Sequence, residues 1–288
     1  MSPMKLDKGK RILIVGLGLI GGSYARALKN KGYYVSAIDS NEGSVIYAKE
    51  HGVIDAGYFY PDADAVGSAD IVVFALYPKV FRSWISENQH MLRSGSVITD
   101  VTGVKTEIVY DIQAQLRPDV EFIPAHPMAG REVYGVENSD ERIFRNANYI
   151  VVPTEKNTPE AIELCKELGR EIGFGRISVL SPEQHDEMIA FVSQLTHCIA
   201  VSLMTCSDNT HLVDYTGDSF RDLTRIARIN ENMWCELFML NREALLAQLD
   251  RFIGEISGFR ELLAQGDEVG MKEKMRLSTE RRALFDVK

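Results

Sequence analysis

Two short stretches hold the residues best suited to chemistry. The first is Ala125-His126-Pro127-Met128-Ala129-Gly130-Arg131-Glu132, directly after the strand-like run Glu121–Pro124. Imidazole exchanges protons near neutral pH. A histidine in a Pro- and Gly-rich loop at a strand's carboxyl end is therefore equipped to take a proton from an alcohol during its oxidation. The second is Gly16-Leu17-Gly18-Leu19-Ile20-Gly21, which follows an apolar strand and opens a helix. Gly16 permits a tight turn, Gly18 lets the backbone approach a pyrophosphate, and Gly21 allows close helix–sheet packing, with the helix N-terminus attracting phosphate charge.

Asp39 stands 23 residues after Gly16, at the end of the second strand, where a carboxylate can accept hydrogen bonds from a ribose. Its charge repels a 2′-phosphate, and the following Ser40-Asn41-Glu42 bring no Arg or Lys. NAD is therefore expected over NADP. Leu19 and Ile20 in the turn, with Ala75 and Tyr77 at the end of a later strand, complete the expected cofactor contacts. Pro78 equally suits the first position of a helix. No metal site is expected.

These residues need a scaffold. The chain has 288 residues, with 45% hydrophobic and 25% charged, enough for a globular core and for about two domains. Strands are expected at Arg11–Val15, Tyr34–Ile38, Ile71–Ala75, Ser96–Asp100, Glu121–Pro124, Tyr149–Val152 and Arg176–Leu180, with helices such as Ser23–Lys31, Val80–Met91 and Pro159–Ile172 between them. Continuous apolar runs such as Ile71-Val72-Val73-Phe74-Ala75 suit strands buried on both faces. The alternation predicts an α/β, doubly wound Rossmann-type domain over residues 1–180. After Ser181-Pro182-Glu183, a helix cap and first turn, no further proline or convincing strand follows. Residues 181–288 are expected to form an all-helical domain.

A net charge of −9 argues against nucleic acid as the main partner. No run of about 18 apolar residues suggests a membrane span, and Ile12–Val15 is too short for a signal-peptide core, so a cytoplasmic protein is expected. The four cysteines, Cys165, Cys198, Cys206 and Cys235, form no CxxC pair and are expected as small buried hydrophobes.

The chain resembles the prephenate dehydrogenase family. The resemblance rests on GLGLIGGS at Gly16–Ser23, Asp100-Val101-Thr102-Gly103-Val104-Lys105, the His126 segment, and Phe220-Arg221-Asp222-Leu223-Thr224-Arg225-Ile226-Ala227. Met233-Trp234 and Asn241-Arg242-Glu243-Ala244-Leu245 follow. It implies an NAD-binding sheet domain joined to a helical domain that forms a homodimer. It also implies oxidative decarboxylation of the small molecule prephenate to 4-hydroxyphenylpyruvate, a step of tyrosine biosynthesis. By resemblance, His126 hydrogen-bonds the ring hydroxyl and assists hydride transfer, and Arg225 binds a substrate carboxylate. His197 matches a second substrate-site histidine, although its neighbours Leu195 and Ile199 suit a core position too. Glu132 and Asp222 match acidic residues that pair with the arginine or gate the pocket.

In one position the chain departs from the family pattern. Where many members carry a serine touching both the substrate hydroxyl and the catalytic histidine, this chain has Gly103. Thr102 beside it, or water, is expected to compensate. Lys105 is read as a contact to substrate or cofactor or, equally, as a solvated lysine at a helix start. Trp234 is read as packing with a possible pocket edge. Arogenate, with an amine in place of the side-chain ketone, is the alternative substrate. A related two-domain hydroxy-acid dehydrogenase is a further alternative, but such enzymes use a lysine of the helical domain, and no lysine lies between Ser181 and Met271. A binding-only NAD sensor would have no use for His126 and Arg225 in these settings.

Overall fold

Strand β1 (Arg11–Val15) shows why the fold forms. Ile12 and Ile14 face one apolar core, Leu13 and Val15 face another, and all four are buried. A strand that is apolar on both faces needs helices on both sides. The computed structural model, which describes residues 6–131 and 133–286, provides them. Helix α1 (Leu19–Asn30) follows β1, then β2 (Tyr34–Ile38), α2 (Glu42–Glu50), β3 (Ala56–Tyr58) and α3 (Ala63–Ser68). Next come β4 (Ile71–Phe74), α4 (Pro78–Asn88), β5 (Val97–Asp100), α5 (Thr106–Gln115) and β6 (Glu121–Phe122). The six strands pair in parallel in the order β3-β2-β1-β4-β5-β6. Strand order reverses between β1 and β4, and the crevice at their carboxyl ends is where such sheets bind ligands.

The structure corrects the single-sheet reading. β7 (Ala125–Met128), β8 (Asn148–Val151) and β9 (Arg176–Val179) form a second, three-stranded sheet, with β7 antiparallel to β8 and β8 parallel to β9. His126 therefore lies in a strand and not in a loop. Pro127 hid this, since proline suits only a strand position whose missing N–H goes unneeded. Helix α6 (Pro159–Glu171), capped by Thr158, covers this sheet.

From Pro182 onward the described residues form helices joined by loops, with no strand among them. Ser181 and Gln184 form a reciprocal capping box at the start of α7 (Pro182–Ile189), with Pro182 in its first turn. A π-helical segment, Ala190–Leu195, runs into α8 (Thr196–Thr205). Then come α9 (Asp218–Thr224), a 3₁₀ turn at Arg225–Ala227, α10 (Glu231–Leu240), α11 (Arg242–Gln265) and α12 (Glu268–Ala283). The continuous helix Pro182–Thr205 is more apolar than expected: it has 24 residues, and an 18-residue window within it reaches a mean hydropathy of 1.6, long and apolar enough by composition to cross a membrane. Inside it, however, His185, Asp186 and Gln194 are buried and bonded to protein groups. The cysteine expectation holds for Cys165 alone, because Cys198 is half-buried and Cys206 and Cys235 are exposed.

Candidate functional site

The glycine turn sits in the crevice. Gly16 has φ +101°, and a Cβ there would lie 2.4 Å from the Ala75 carbonyl oxygen. At Gly21 a Cβ would come within 1.9 Å of the Gly16 carbonyl oxygen. Only glycine lets β1, α1 and the end of β4 approach this closely. Gly18 caps α1 without a side-chain bond and has open space where a Cβ would be, so the helix's first N–H groups face an unobstructed approach. Asp39 is held by two backbone groups: Leu17 N–H donates to Oδ2 at 2.5 Å and Asn41 N–H to Oδ1 at 2.8 Å. This fixes the carboxylate beside the turn and leaves lone pairs for a ribose. Leu19 and Ile20 form the first turn of α1, and Tyr77 caps α4 with an exposed ring. These residues fit a dinucleotide.

His126, half-buried in β7, is part of a line of bonded side chains. Its Nδ1 lies 2.8 Å from Nε2 of His185, whose own Nδ1 lies 2.7 Å from Oδ1 of Asp186. A carboxylate only accepts, so His185 Nδ1–H donates to Asp186. In neutral His185, Nε2 is then an acceptor, and His126 Nδ1–H donates to it. His126 is left with its lone pair on Nε2, the geometry of a base. A Cβ at Gly103 would stand 3.9 Å from that nitrogen.

Charges around the line keep it in this state. Burial, then His185 and Lys105, push the His126 imidazole well below its usual range. Burial also lowers His185, partly opposed by Asp186. For Asp186 burial works upward, but bonds from His185 and the Thr106 backbone bring the carboxyl below its usual range. Asp186 also accepts the backbone N–H groups of Lys105 and Thr106 at 2.8 and 2.7 Å, so it caps α5 from the helical part of the chain. Asn241 donates to the Asp186 carbonyl and to Gln194, and Gln194 donates to the Leu237 carbonyl.

Two expectations are corrected here. Lys105 is not solvated at all: it is fully buried, and its ammonium donates to Asp100 at 2.7 Å, Thr102 Oγ1 at 3.2 Å and the Ala125 carbonyl at 2.6 Å. Thr102 is buried too, with its hydroxyl bonded to the Asp100 carboxylate and at 3.0 Å to the Val104 carbonyl. That hydroxyl is turned inward and does not replace the serine absent at Gly103.

On the helical side, His197 Nδ1 lies 2.8 Å from the Ser193 carbonyl, inside the π-helical segment. Its ring packs on Trp234 with centroids 3.7 Å apart. Trp234 and Leu237 share α10, and Leu237 reaches Gly103 beside His126. Arg225 is exposed in the 3₁₀ turn that packs on α8, the helix carrying His197. Helix α10 thus reaches Gly103 through Leu237 and His197 through Trp234, while the Arg225 turn packs on α8 beside His197. Asp222 is exposed on α9, and Glu132 lies outside the described residues.

Sequence reasoning missed His185 and Asp186. The available signal was their place in the first turns after the Ser181-Pro182 cap, where the chain passes from the sheet part to the helices.

Family models match along nearly the whole chain: prephenate dehydrogenase, nucleotide-binding domain, over residues 24–179, and prephenate dehydrogenase, dimerization domain, over residues 181–277. The chain belongs to the prephenate dehydrogenase family. Among its relatives, a cyclohexadienyl dehydrogenase of Zymomonas mobilis is 32% identical over 268 residues, 90% of each chain. A prephenate dehydrogenase of Bacillus subtilis is 33% identical, covering 89% of this chain and 71% of that protein. The solved prephenate dehydrogenase of Aquifex aeolicus, in complex with hydroxyphenyl propionate and NAD+, superposes with a TM-score of 0.87 at 29% identity over 96% of this chain and 98% of that one.

Proposed function

We propose that this chain catalyses the NAD-dependent oxidative decarboxylation of prephenate to 4-hydroxyphenylpyruvate in tyrosine biosynthesis. The observation that carries the reading is the His126 Nε2 lone pair, held by His185 and Asp186 next to Gly103. NAD, when bound, supplies the hydride acceptor, and the Aquifex relative in complex with NAD+ supports that choice. Gly16, Gly18 and Gly21 leave room for its pyrophosphate, Asp39 receives a ribose, and Ala75 and Tyr77 border the crevice.

His126 Nε2 takes the proton of the ring hydroxyl as hydride departs from the same carbon. The resulting positive charge is shared along the line through His185 to the Asp186 carboxylate, as in other base–orienter arrangements. The opposite ring carbon loses carbon dioxide, the electron pair of that bond completes the aromatic ring and moves charge onto the ring oxygen, and that oxygen takes its proton back from His126 to give the phenol. Aromatisation makes the step irreversible. Arg225 is the cation for a substrate carboxylate, since a guanidinium matches it with two parallel bonds. His197 and Glu132 are the further substrate contacts in this reading, and Gly103 leaves space that water or the substrate fills.

The domain division at 180/181 and a homodimer through the helical part belong to the same reading. Leu246, Ile253, Ile256 and Leu263 follow one another on α11 at intervals of seven, three and seven, forming one stripe, and all are more than half exposed in the single chain. The matched dimerization model supports a second copy as their cover. A cytoplasmic location goes with this assignment.

Arogenate is the second reading, favoured by relatives named cyclohexadienyl dehydrogenase and probable arogenate/prephenate dehydrogenase. The deciding experiment assays purified protein with prephenate and arogenate, each with NAD and NADP. Highest kcat/KM with prephenate and NAD is expected. Preference for arogenate moves the assignment to the second reading, and no turnover with either removes both.

A further inference from the structure

We propose that the buried Lys105–Asp100 pair is a positioning device for His126, which it serves by gripping the peptide groups on both sides of Ala125. The proposal rests on His126 being the base. Strand β6 ends at Phe122, and the chain then leaves the first sheet to enter the second as β7. At that crossing Ala125 has no strand on the side facing β5. Asp100 Oδ1 takes its N–H at 3.2 Å, and Lys105 Nζ donates to its carbonyl at 2.6 Å. A carboxylate and an ammonium thus replace a missing strand partner one residue before His126.

The pair is fully satisfied, which is the condition for keeping charges where neither group has any exposed side-chain surface. All three ammonium protons have acceptors: Asp100, Thr102 and Ala125. The second Asp100 oxygen collects Lys105, the Thr102 N–H and the Thr102 hydroxyl. Burial draws Lys105 downward while Asp100 opposes it. A plain backbone clamp could be built from neutral groups, but the cation does a second thing: it repels a proton on His126. Among the described residues, the charged and titratable groups around His126 are then His185 and Asp186 from α7, Lys105 from the start of α5, and Asp100 from β5.

The test removes both charges together, so that neither is left buried alone: Asp100→Asn with Lys105→Met. Circular dichroism reports folding, titration reports NAD affinity, kcat and KM are measured across pH, and His126 is titrated by NMR. The expected result is turnover down about 10–100-fold, as for small misplacements of a catalytic group. KM and NAD affinity should stay within about twofold, and the His126 titration should rise as the neighbouring cation is lost. Thr102→Val, milder, removes one acceptor of the ammonium and should move turnover and titration in the same directions by less. Wild-type turnover with an unmoved His126 titration in either folded variant overturns the proposal. His126→Asn separates the two ideas: if it keeps near-normal turnover, the base reading itself fails. If it is inactive while the neutral pair is not, only the positioning role fails.

Discussion

The sheet part and the helical part solve the burial problem differently. Around β1, Ile12, Leu13 and Ile14 have no exposed surface, and two apolar cores close the sheet on both faces. Beyond Pro182, among the described residues, the buried apolar side chains reduce to Ile189, Ala190, Leu195, Ala200, Leu237 and Leu245, while Phe191, Leu223, Leu246, Ile253 and Ile256 are all more than half exposed. The first part is complete as a single chain. The second is anchored by polar side chains such as Asp186 and Asn241 and leaves much of its apolar surface exposed in the single chain. His126 sits on the closed part, its partners His185 and Asp186 at the start of the open one, and Arg225 within the open one.

The largest effect expected from breaking that division is at His126. His126→Asn should lower turnover about 10²–10⁴-fold with NAD affinity intact; near-normal turnover would place the base elsewhere. Because the His126 pKa is depressed, the wild-type acid limb of kcat/KM should lie below the ordinary histidine range near 6.5. The same depression has a sign for stability. As pH falls through about 6.5 the unfolded chain takes protons that the half-buried His126 and the buried His185 refuse, so stability is lost toward acid and is fully present above it. Urea unfolding at pH 7.5 and 5.5 should show this loss, and His185→Gln should flatten it.

Next in size is Arg225→Ala, which tests whether the helical part holds the substrate. Leaving a carboxylate unpaired costs roughly 2–5 kcal/mol, to be read in the Michaelis constant for prephenate. Arg225→Lys should rescue only in part, and an unchanged constant in the alanine variant would shift attention to Arg131.

Ile253→Asp then probes the open apolar stripe. Light scattering should report a smaller particle and activity should fall with dilution; an unaltered mass would put the interface on another face. Asp39→Ala should weaken NAD use about tenfold, for the loss of ribose hydrogen bonds to a charged group, and narrow the gap to NADP. The smallest change is expected from Gly103→Ser, where a Cβ meets Leu237 at an easy 3.6 Å. A serine hydroxyl there should alter turnover by about a few-fold, consistent with one added hydrogen bond. A large loss would show that the space is already filled by substrate.

What could be read from the sequence divides along a similar line. The glycine turn, Asp39 and the Ser181-Pro182 cap were legible because each depends on a few neighbouring residues. β3 escaped because three residues, Ala56-Gly57-Tyr58, carry no periodicity. His126 was legible as a residue but not as a strand position, since Pro127 reads as loop. Lys105 and Thr102 misled for a different reason. Whether a lysine is solvated or buried depends on a carboxylate five residues earlier and on the carbonyl of Ala125, a contact that exists only once β7 crosses β5. His185 and Asp186 required knowing that α7 returns onto the start of α5, some 80 positions away.

That return has a mechanical side. Helix α5 has no side-chain cap of its own, and its first N–H groups are closed by Asp186 on α7. The end of one lever is therefore the stopper of another. Swinging the helices away from the sheet at this point would uncap α5, break two charge-assisted bonds worth roughly 1.5–3 kcal/mol each, and pull His185 off His126 at once. Separation at this point therefore carries a cost that the exposed turn around Arg225 does not share in the described bonds, and the His126–His185–Asp186 line is tied to the hinge-like joint between the two parts of the chain.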